Sequence, residues 1–432
     1  MSCNGRGWRA CPTGHARSSG IAIMDMTRRH WLSAVAALPA ALPAKAKAAT
    51  AQVTALPART AFATTDIAYL DNGSQHPVSL GAKAAIDAYF AKRMLDPAAM
   101  GYKLDDDGLR AKFARLINAD PDEISFVQST TAGEQAVIRA LDLPDAGGHV
   151  VTETLHFFGS FALYEDLSRR GVDVSWVRAV NGRIRLEDIK AAIHKGTKLV
   201  ALSQVSTVNG FEHDLKAICD HAHAHGALVY ADIIHAAGCV PLDVRASGVD
   251  FAACASYKWL MGDFGLGFLY VRKDLLPRLT RRNWGYYGIS NFATHVYPLD
   301  APGNTVADFD FTSDAGGAFA IGTRSHTVIA QLHHSLDWIA ALGVDAIQRH
   351  AQSLIAHLRE ELPRRGHAIY TPAEARTPLL TVVLPDARKK LAAPMAAAKV
   401  SLTMSANRFR LTPSVHNDHA DIERFLAALP RA

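Results

Sequence analysis

Val229-Tyr230-Ala231-Asp232-Ile233-Ile234-His235-Ala236-Ala237-Gly238, followed by Cys254-Ala255-Ser256-Tyr257-Lys258, decides the fold. Val229-Tyr230-Ala231 is a short apolar run that ends in an acid. Such a run predicts a buried parallel strand, which delivers its carboxylate to the edge where open α/β sheets bind ligands. Residues 251–256 predict a second strand, ending in a hydroxyl and leading to Lys258. A lysine just past a buried strand can be desolvated until its amine is neutral and nucleophilic, as condensation with a carbonyl requires. Taken singly, Asp232 reads as a helix cap and Lys258 as a solvated loop residue. Their placement on successive strands is what points to a site.

Outward from this stretch, residues 124–127, 150–152 and 199–203 predict further buried strands, and 67–74 a short strand with a turn. Residues 109–117 have helical spacing, and a long helix is predicted over 327–342, stopped by Gly343. Gln128-Ser129-Thr130-Thr131-Ala132-Gly133 places hydroxyls and small residues at a strand-to-helix junction. Free N–H groups and the positive helix end suit a phosphate there; a plain hydroxyl N-cap is the other reading. His221 and His225 share a helix face, but with no third ligand in view no metal site is expected.

The 432 residues allow two domains, and 49% hydrophobic content supports a large core. The net charge of +5 resides in the leader. Residues 1–49 hold seven Arg/Lys and one acid, a net of +6, which leaves the remainder at −1. Nucleic-acid binding is therefore not expected. Cys219, Cys239 and Cys254 read as buried small hydrophobes. Thr27-Arg28-Arg29-His30-Trp31-Leu32-Ser33, the apolar run 34–44 and small residues to Ala49 resemble a twin-arginine export signal. That run is too short to span a membrane. The expectation is export of the folded protein by the twin-arginine machinery to the periplasm, with no membrane segment in the mature form.

Asp232-x-x-His235, then Ser256-Tyr257-Lys258, then the Gly-rich turn Gly262-Asp263-Phe264-Gly265-Leu266-Gly267 leading into a strand, resemble the class V aminotransferase pattern. That family includes cysteine desulfurases, kynureninases and isopenicillin N epimerase-like enzymes. The resemblance covers about residues 66–430. It implies an α/β, fold-type I pyridoxal 5′-phosphate (PLP) protein and a homodimer. The expected large domain, about 80–322, holds a mostly parallel seven-stranded sheet. The expected small α+β domain joins 50–79 to 323–432, after the leader 1–49.

The resemblance also implies roles. Lys258 holds PLP, and Asp232 keeps the pyridine nitrogen protonated. Thr131, Ala132 and Gly133 fall on the phosphate loop, although Gly133 lacks the family's Thr hydroxyl. Phe157 stacks on the ring, with Phe158 or His156 as alternatives. Thr207 stands where the family often has Asn facing the cofactor, and His235 and Ser256 complete its setting. Thr323, in the turn after Gly322, reaches the partner subunit's phosphate. Asn72 lines the substrate pocket, and Arg410 forks a substrate carboxylate; apart from the family, Arg408 and Arg410 read as an alternating strand edge.

The expected reaction is transamination or epimerisation at Cα of an amino acid or amino-acid-derived amine. A β-eliminating lyase and a siderophore side-chain-modifying enzyme of the exported pyoverdine-tailoring type are alternatives. Cysteine desulfuration ranks below these, because no cysteine follows Cys254. A non-catalytic PLP-fold binding protein ranks last, because Lys258 and Asp232 are both present.

Overall fold

The structure, a computed structural model, describes residues 55–63, 66–100 and 104–431. Residues 1–49, where a twin-arginine leader is expected, lie outside the described residues. Residues 51–432 form one compact unit. Among the described residues, no helix is long and apolar enough to cross a membrane.

The chain enters through β1 (Ala68–Tyr69). The large sheet takes seven strands: β2 (Ile124–Val127), β3 (His149–Glu153), β4 (Asp173–Val177), β5 (Thr197–Ser203), β6 (Leu228–Asp232), β7 (Phe251–Ala255) and β8 (Gly267–Val271). Their order is β2-β8-β7-β6-β5-β3-β4. Only β8 runs against its neighbours. The mostly parallel seven-stranded sheet expected from the sequence is therefore present.

Burial on both faces explains the continuous apolar runs. Along β5, Leu199 and Ala201 face one core while Val200 and Leu202 face the other. Along β6, Tyr230 faces the first and Val229 and Ala231 the second. Helices cover both sides, so each inward Leu, Val or Phe contributes about 1.5–3 kcal/mol on burial. The strand order reverses between β3 and β5, and the C-terminal ends of β3, β5 and β6 meet at that switch point.

A hairpin, β9 (Ile289–Thr294) with β10 (Ala307–Phe311), follows. The C-terminal sheet contains β11 (Ala368–Ile369), β12 (Leu380–Val383), β14 (Thr403–Met404) and β15 (Arg408–Leu411), in the order β11-β12-β15-β14. β13 (Val400–Ser401) pairs in parallel with β1.

The domain boundary differs from the one expected at 322/323. Helix His326–Leu342 packs on the large core through Val328, Ile329, Leu332 and Ile339. The core under the C-terminal sheet starts at Leu354, inside helix Val344–Arg364, whose Ile347 still belongs to the large core. One 21-residue amphipathic helix has an apolar stripe long enough to serve both. The N-terminal segment is likewise shared: Ala58 and Phe62 join the large core, Ala68 and Leu70 the small one.

Candidate active site

Asp232 ends β6 and is buried. The Ile234 N–H donates to its Oδ1 at 2.9 Å. Burial pushes the carboxyl up to about 6, against the His156 charge, the Ile234 N–H and Lys258, which all favour the ionised form. A buried carboxylate with one oxygen held and the other uncommitted fits the N–H of a pyridinium.

Lys258 follows β7 and is also buried. Burial, and then the Arg410 charge, bring its amine down to about 8, while Asp232 acts the other way. Its Nζ lies 3.0 Å from His235 Nε2. The Trp259 indole N–H donates to His235 Nδ1 at 3.2 Å. An indole nitrogen only donates, so Nδ1 is the acceptor and the ring proton sits on Nε2. His235 is held neutral by burial and by the Lys258 and Arg410 charges. Its Nε2–H is therefore placed to donate to Lys258 once that amine has lost its proton. The structure thus presents Lys258 as a buried, directed nucleophile.

Lys258 opens into a cleft of about 390 Å³, walled by Gly73, Ser74, Phe157, Thr207, Tyr257 and Arg410, with Phe158 exposed at its mouth. Phe157, rather than His156, takes the cleft wall. His156 lies behind it, with Nδ1 2.8 Å from Ser203 Oγ and Nε2 2.9 Å from Glu134 Oε1. Ser160 and Tyr164 donate to the same Glu134 carboxylate, at 2.5 and 2.6 Å. Burial would raise the Glu134 carboxyl, but the His156 charge and these three hydrogen bonds outweigh it and hold it low. Burial would lower His156, but Glu134 outweighs that and raises it. The pair is a buried, fully bonded ion pair beneath Asp232.

Arg410 is held by four hydrogen bonds. Its NH1 donates to Thr207 O and Thr207 Oγ1, at 2.9 and 2.7 Å. Its NH2 donates to Ser74 Oγ and Thr403 Oγ1, at 2.9 and 3.1 Å. Thr207 therefore positions Arg410 by direct contact. β15 lies between β12 and β14 in its sheet, which corrects the strand-edge reading of Arg408 and Arg410.

Several expected site residues are placed differently. Asn72 is fully buried, and its amide donates to Tyr69 O, Thr412 O and Asn417 Oδ1. It ties β1 to the C-terminal segment, while its neighbours Gly73 and Ser74 reach the cleft. The Ser256 hydroxyl donates to Asp263 O and Leu266 O and braces the Gly-rich turn. Thr131, Ala132 and Gly133 begin helix Thr130–Ala140. The Ala132 N–H is spent on Ser129 Oγ and that of Gly133 on Ser129 O. A Cβ on Gly133 would sit 2.9 Å from Ala253 Cβ, so that glycine lets the helix close on β7. Thr323 is exposed beside a separate cleft that includes Tyr89 and Arg93.

The spacing of His221 and His225 serves the helix end: His225 Nδ1 lies 2.9 Å from His221 O. At the far end of β3 and β4, His149, Asp173 and His194 bring ligand-type atoms within 4.8 Å. No sequence motif marks this group. Both His149 nitrogens are engaged, with Thr197 Oγ1 and Ser175 Oγ.

Comparison with known proteins agrees with this geometry. The family description "Aminotransferase class-V" matches residues 99–400. A probable cysteine desulfurase of Methanothermobacter thermautotrophicus is 30% identical over 307 residues, 68% of this chain and 72% of that protein. An uncharacterized aminotransferase of Bacillus subtilis is 25% identical over 310 residues, 71% of this chain and 78% of that protein. The apo structure of a cysteine desulfurase from Thermococcus onnurineus superposes with a TM-score of 0.75 at 21% identity, over 87% of this chain and 97% of that one. A cystine C–S lyase bound to cysteine persulfide gives 0.75 at 20% identity, over 84% and 97%. These relatives overturn the ranking that put transamination or epimerisation first and cysteine desulfuration below them. That ranking rested on a missing C-terminal cysteine, which bears on where sulfur goes and not on how an amino acid is held. The buried Asp232, the buried Lys258 amine with its lowered pKa and the family match together make this chain a PLP-dependent member of the class V aminotransferase family, with the fold-type I architecture.

Proposed function

We propose that the protein breaks the carbon–sulfur bond of a cysteine-type amino acid. The observation that carries this reading is the Lys258 cleft itself, lined by a buried amine of lowered pKa and by the Arg410 guanidinium, in a chain whose relatives include cysteine desulfurases. PLP, when bound, supplies an electron sink that acidifies the Cα–H of an attached amino acid. Arg410 offers its fork to the α-carboxylate and so fixes the substrate's orientation. Lys258, with its amine at about 8, takes and returns protons at Cα near neutral pH. His235, pinned by Trp259, favours the unprotonated form of that amine.

The route of the sulfur differs from capture by an enzyme thiol. Among the described residues, the cysteines are Cys219, Cys239 and Cys254, all buried and all pushed up in pKa by burial. None lines the cleft. With no described thiol at the cleft, the proposed route carries sulfur away on a small molecule. Elimination converts cysteine and water to pyruvate, ammonia and hydrogen sulfide. Desulfuration converts cysteine and an added thiol to alanine and that thiol's persulfide. The test is to incubate the PLP-loaded protein with L-cysteine, L-cystine and S-substituted cysteines, then assay pyruvate, alanine, sulfide and persulfide. Amino transfer to an oxo acid with no sulfur released from any of them overturns the proposal.

A further inference from the structure

β15 carries two guanidinium groups on one face. Arg408 and Arg410 are two residues apart, so their side chains point the same way while Phe409 turns into the small core. Both line the Lys258 cleft, and Arg388 lines it too. Arg410 is deep and held by Thr207, Ser74 and Thr403. Arg408 is exposed, and its guanidinium has no hydrogen bond or ion pair among the described residues. Arg388 donates through Nε and NH2 to Met404 O, a neutral acceptor, and has no anionic partner among the described residues. Among the described residues the one carboxylate at the inner end is Asp71, whose Oδ1 lies 3.7 Å from Arg410 NH2, and no Asp or Glu lines the cleft beside Arg408 and Arg388. Arg408 lies close enough to act on Arg410 electrostatically. An inner guanidinium committed to the α-carboxylate thus leaves two outer ones without an anion.

We infer that the substrate carries a second anionic group, which sits on Arg408 and Arg388 about 7 Å beyond the α-carboxylate, two strand residues away. This rests on the carbon–sulfur reading for its chemistry: the substrate is a cysteine whose sulfur bears a short substituent ending in a carboxylate or similar anion. Elimination then takes the S-conjugate and water to pyruvate, ammonia and the acid-bearing thiol. The Cβ–S bond breaks, and the Cα proton is replaced in the thiol. Phe157 and Tyr257 flank the path with apolar surface, which suits the methylene and sulfur between the two anions.

The test uses the PLP-loaded full chain and two probes of similar shape, S-methyl-L-cysteine and S-carboxymethyl-L-cysteine. Binding is read from the change in cofactor absorbance on titration, and turnover from released pyruvate and thiol. The expected result is a Kd about five- to tenfold lower for the carboxymethyl probe. That ratio should fall towards one in Arg408→Gln and in the Arg388→Gln/Arg408→Gln double variant, and also at high salt. Equal Kd values for the two probes in the unaltered protein, or a ratio unmoved by both variants, overturn the inference. An Arg408-dependent preference with neither pyruvate nor thiol released leaves the second-anion site standing and removes the carbon–sulfur chemistry instead.

Discussion

Asp232 should make the cofactor-free protein less stable at neutral pH than an uncharged version of itself. Its carboxyl is raised from 3.8 to about 6 chiefly by burial, with His156, the Ile234 N–H and Lys258 offsetting only part of that cost. A carboxyl with a raised folded pKa loses stability as pH rises between the unfolded and folded values, because the native state holds the proton more tightly. At 1.36 kcal/mol per unit, the loss is about 1.5 kcal/mol at pH 5 and about 3 kcal/mol at pH 7. Asn is nearly isosteric with the protonated acid and can still accept from the Ile234 N–H. Asp232→Asn should therefore stabilise the cofactor-stripped protein by about 3 kcal/mol at pH 7, with roughly half that gain at pH 5. The same change should weaken PLP binding by about 1.5–3 kcal/mol, since a charge-assisted bond is lost. Urea unfolding of stripped wild-type and variant protein at the two pH values gives the first quantity, and PLP titration the second. A variant that is equally or less stable than wild type at pH 7, or a gap that does not shrink at pH 5, would refute the account of Asp232 as a desolvated charge awaiting a cation.

Trp259→Phe removes the donor that pins His235, so the imidazole can present a lone pair to Lys258 and favour the ammonium. The Lys258 pKa should rise by about half a unit to one unit, given about 1 kcal/mol for a neutral hydrogen bond. The pH dependence of amine labelling in the stripped protein reports it, and ¹⁵N NMR should show the wild-type proton on Nε2. Glu134→Gln breaks a buried pair and should cost about 3–5 kcal/mol in unfolding free energy; a loss under 1 kcal/mol would mean that His156 is neutral. Asn72→Ala should cost about 1–3 kcal/mol of stability, while the relative Kd values for different amino acids stay the same. A selective change for one substrate would return Asn72 to the pocket.

The inner strands were legible because burial on both faces forces uninterrupted apolar runs, as in residues 199–203 and 251–255, whereas β4, exposed or half-buried along most of its length, gave no such run. Lys258, Asp232 and Arg410 were legible because each stands at a strand end or in a fixed motif. What could not be read was the use of side chains that make no pattern. Trp259 looks like any core aromatic until its N–H is seen on His235. Glu134 looks like an ordinary helix acid until its helix turns it beneath the sheet. The opposite error occurred at Asn72 and Ser256, where polar residues near a motif were assigned to the ligand. Their hydrogen bonds go to the protein's own backbone, as most buried polar groups' do. Arg408 showed the reach of a strand's two-residue period, but only the sheet order revealed that β15 is internal, with its two arginines on the Lys258 cleft.

Helix Val344–Arg364 contributes its first turns to one core and its later turns to the other. Neither core can melt alone without stripping part of a helix whose remainder is still clamped. The wall bearing Arg408 and Arg410 and the floor bearing Lys258 should therefore be lost in a single cooperative transition. Limited proteolysis should then yield either intact chain or small fragments, with no long-lived half-molecule that binds PLP but has lost its grip on carboxylates.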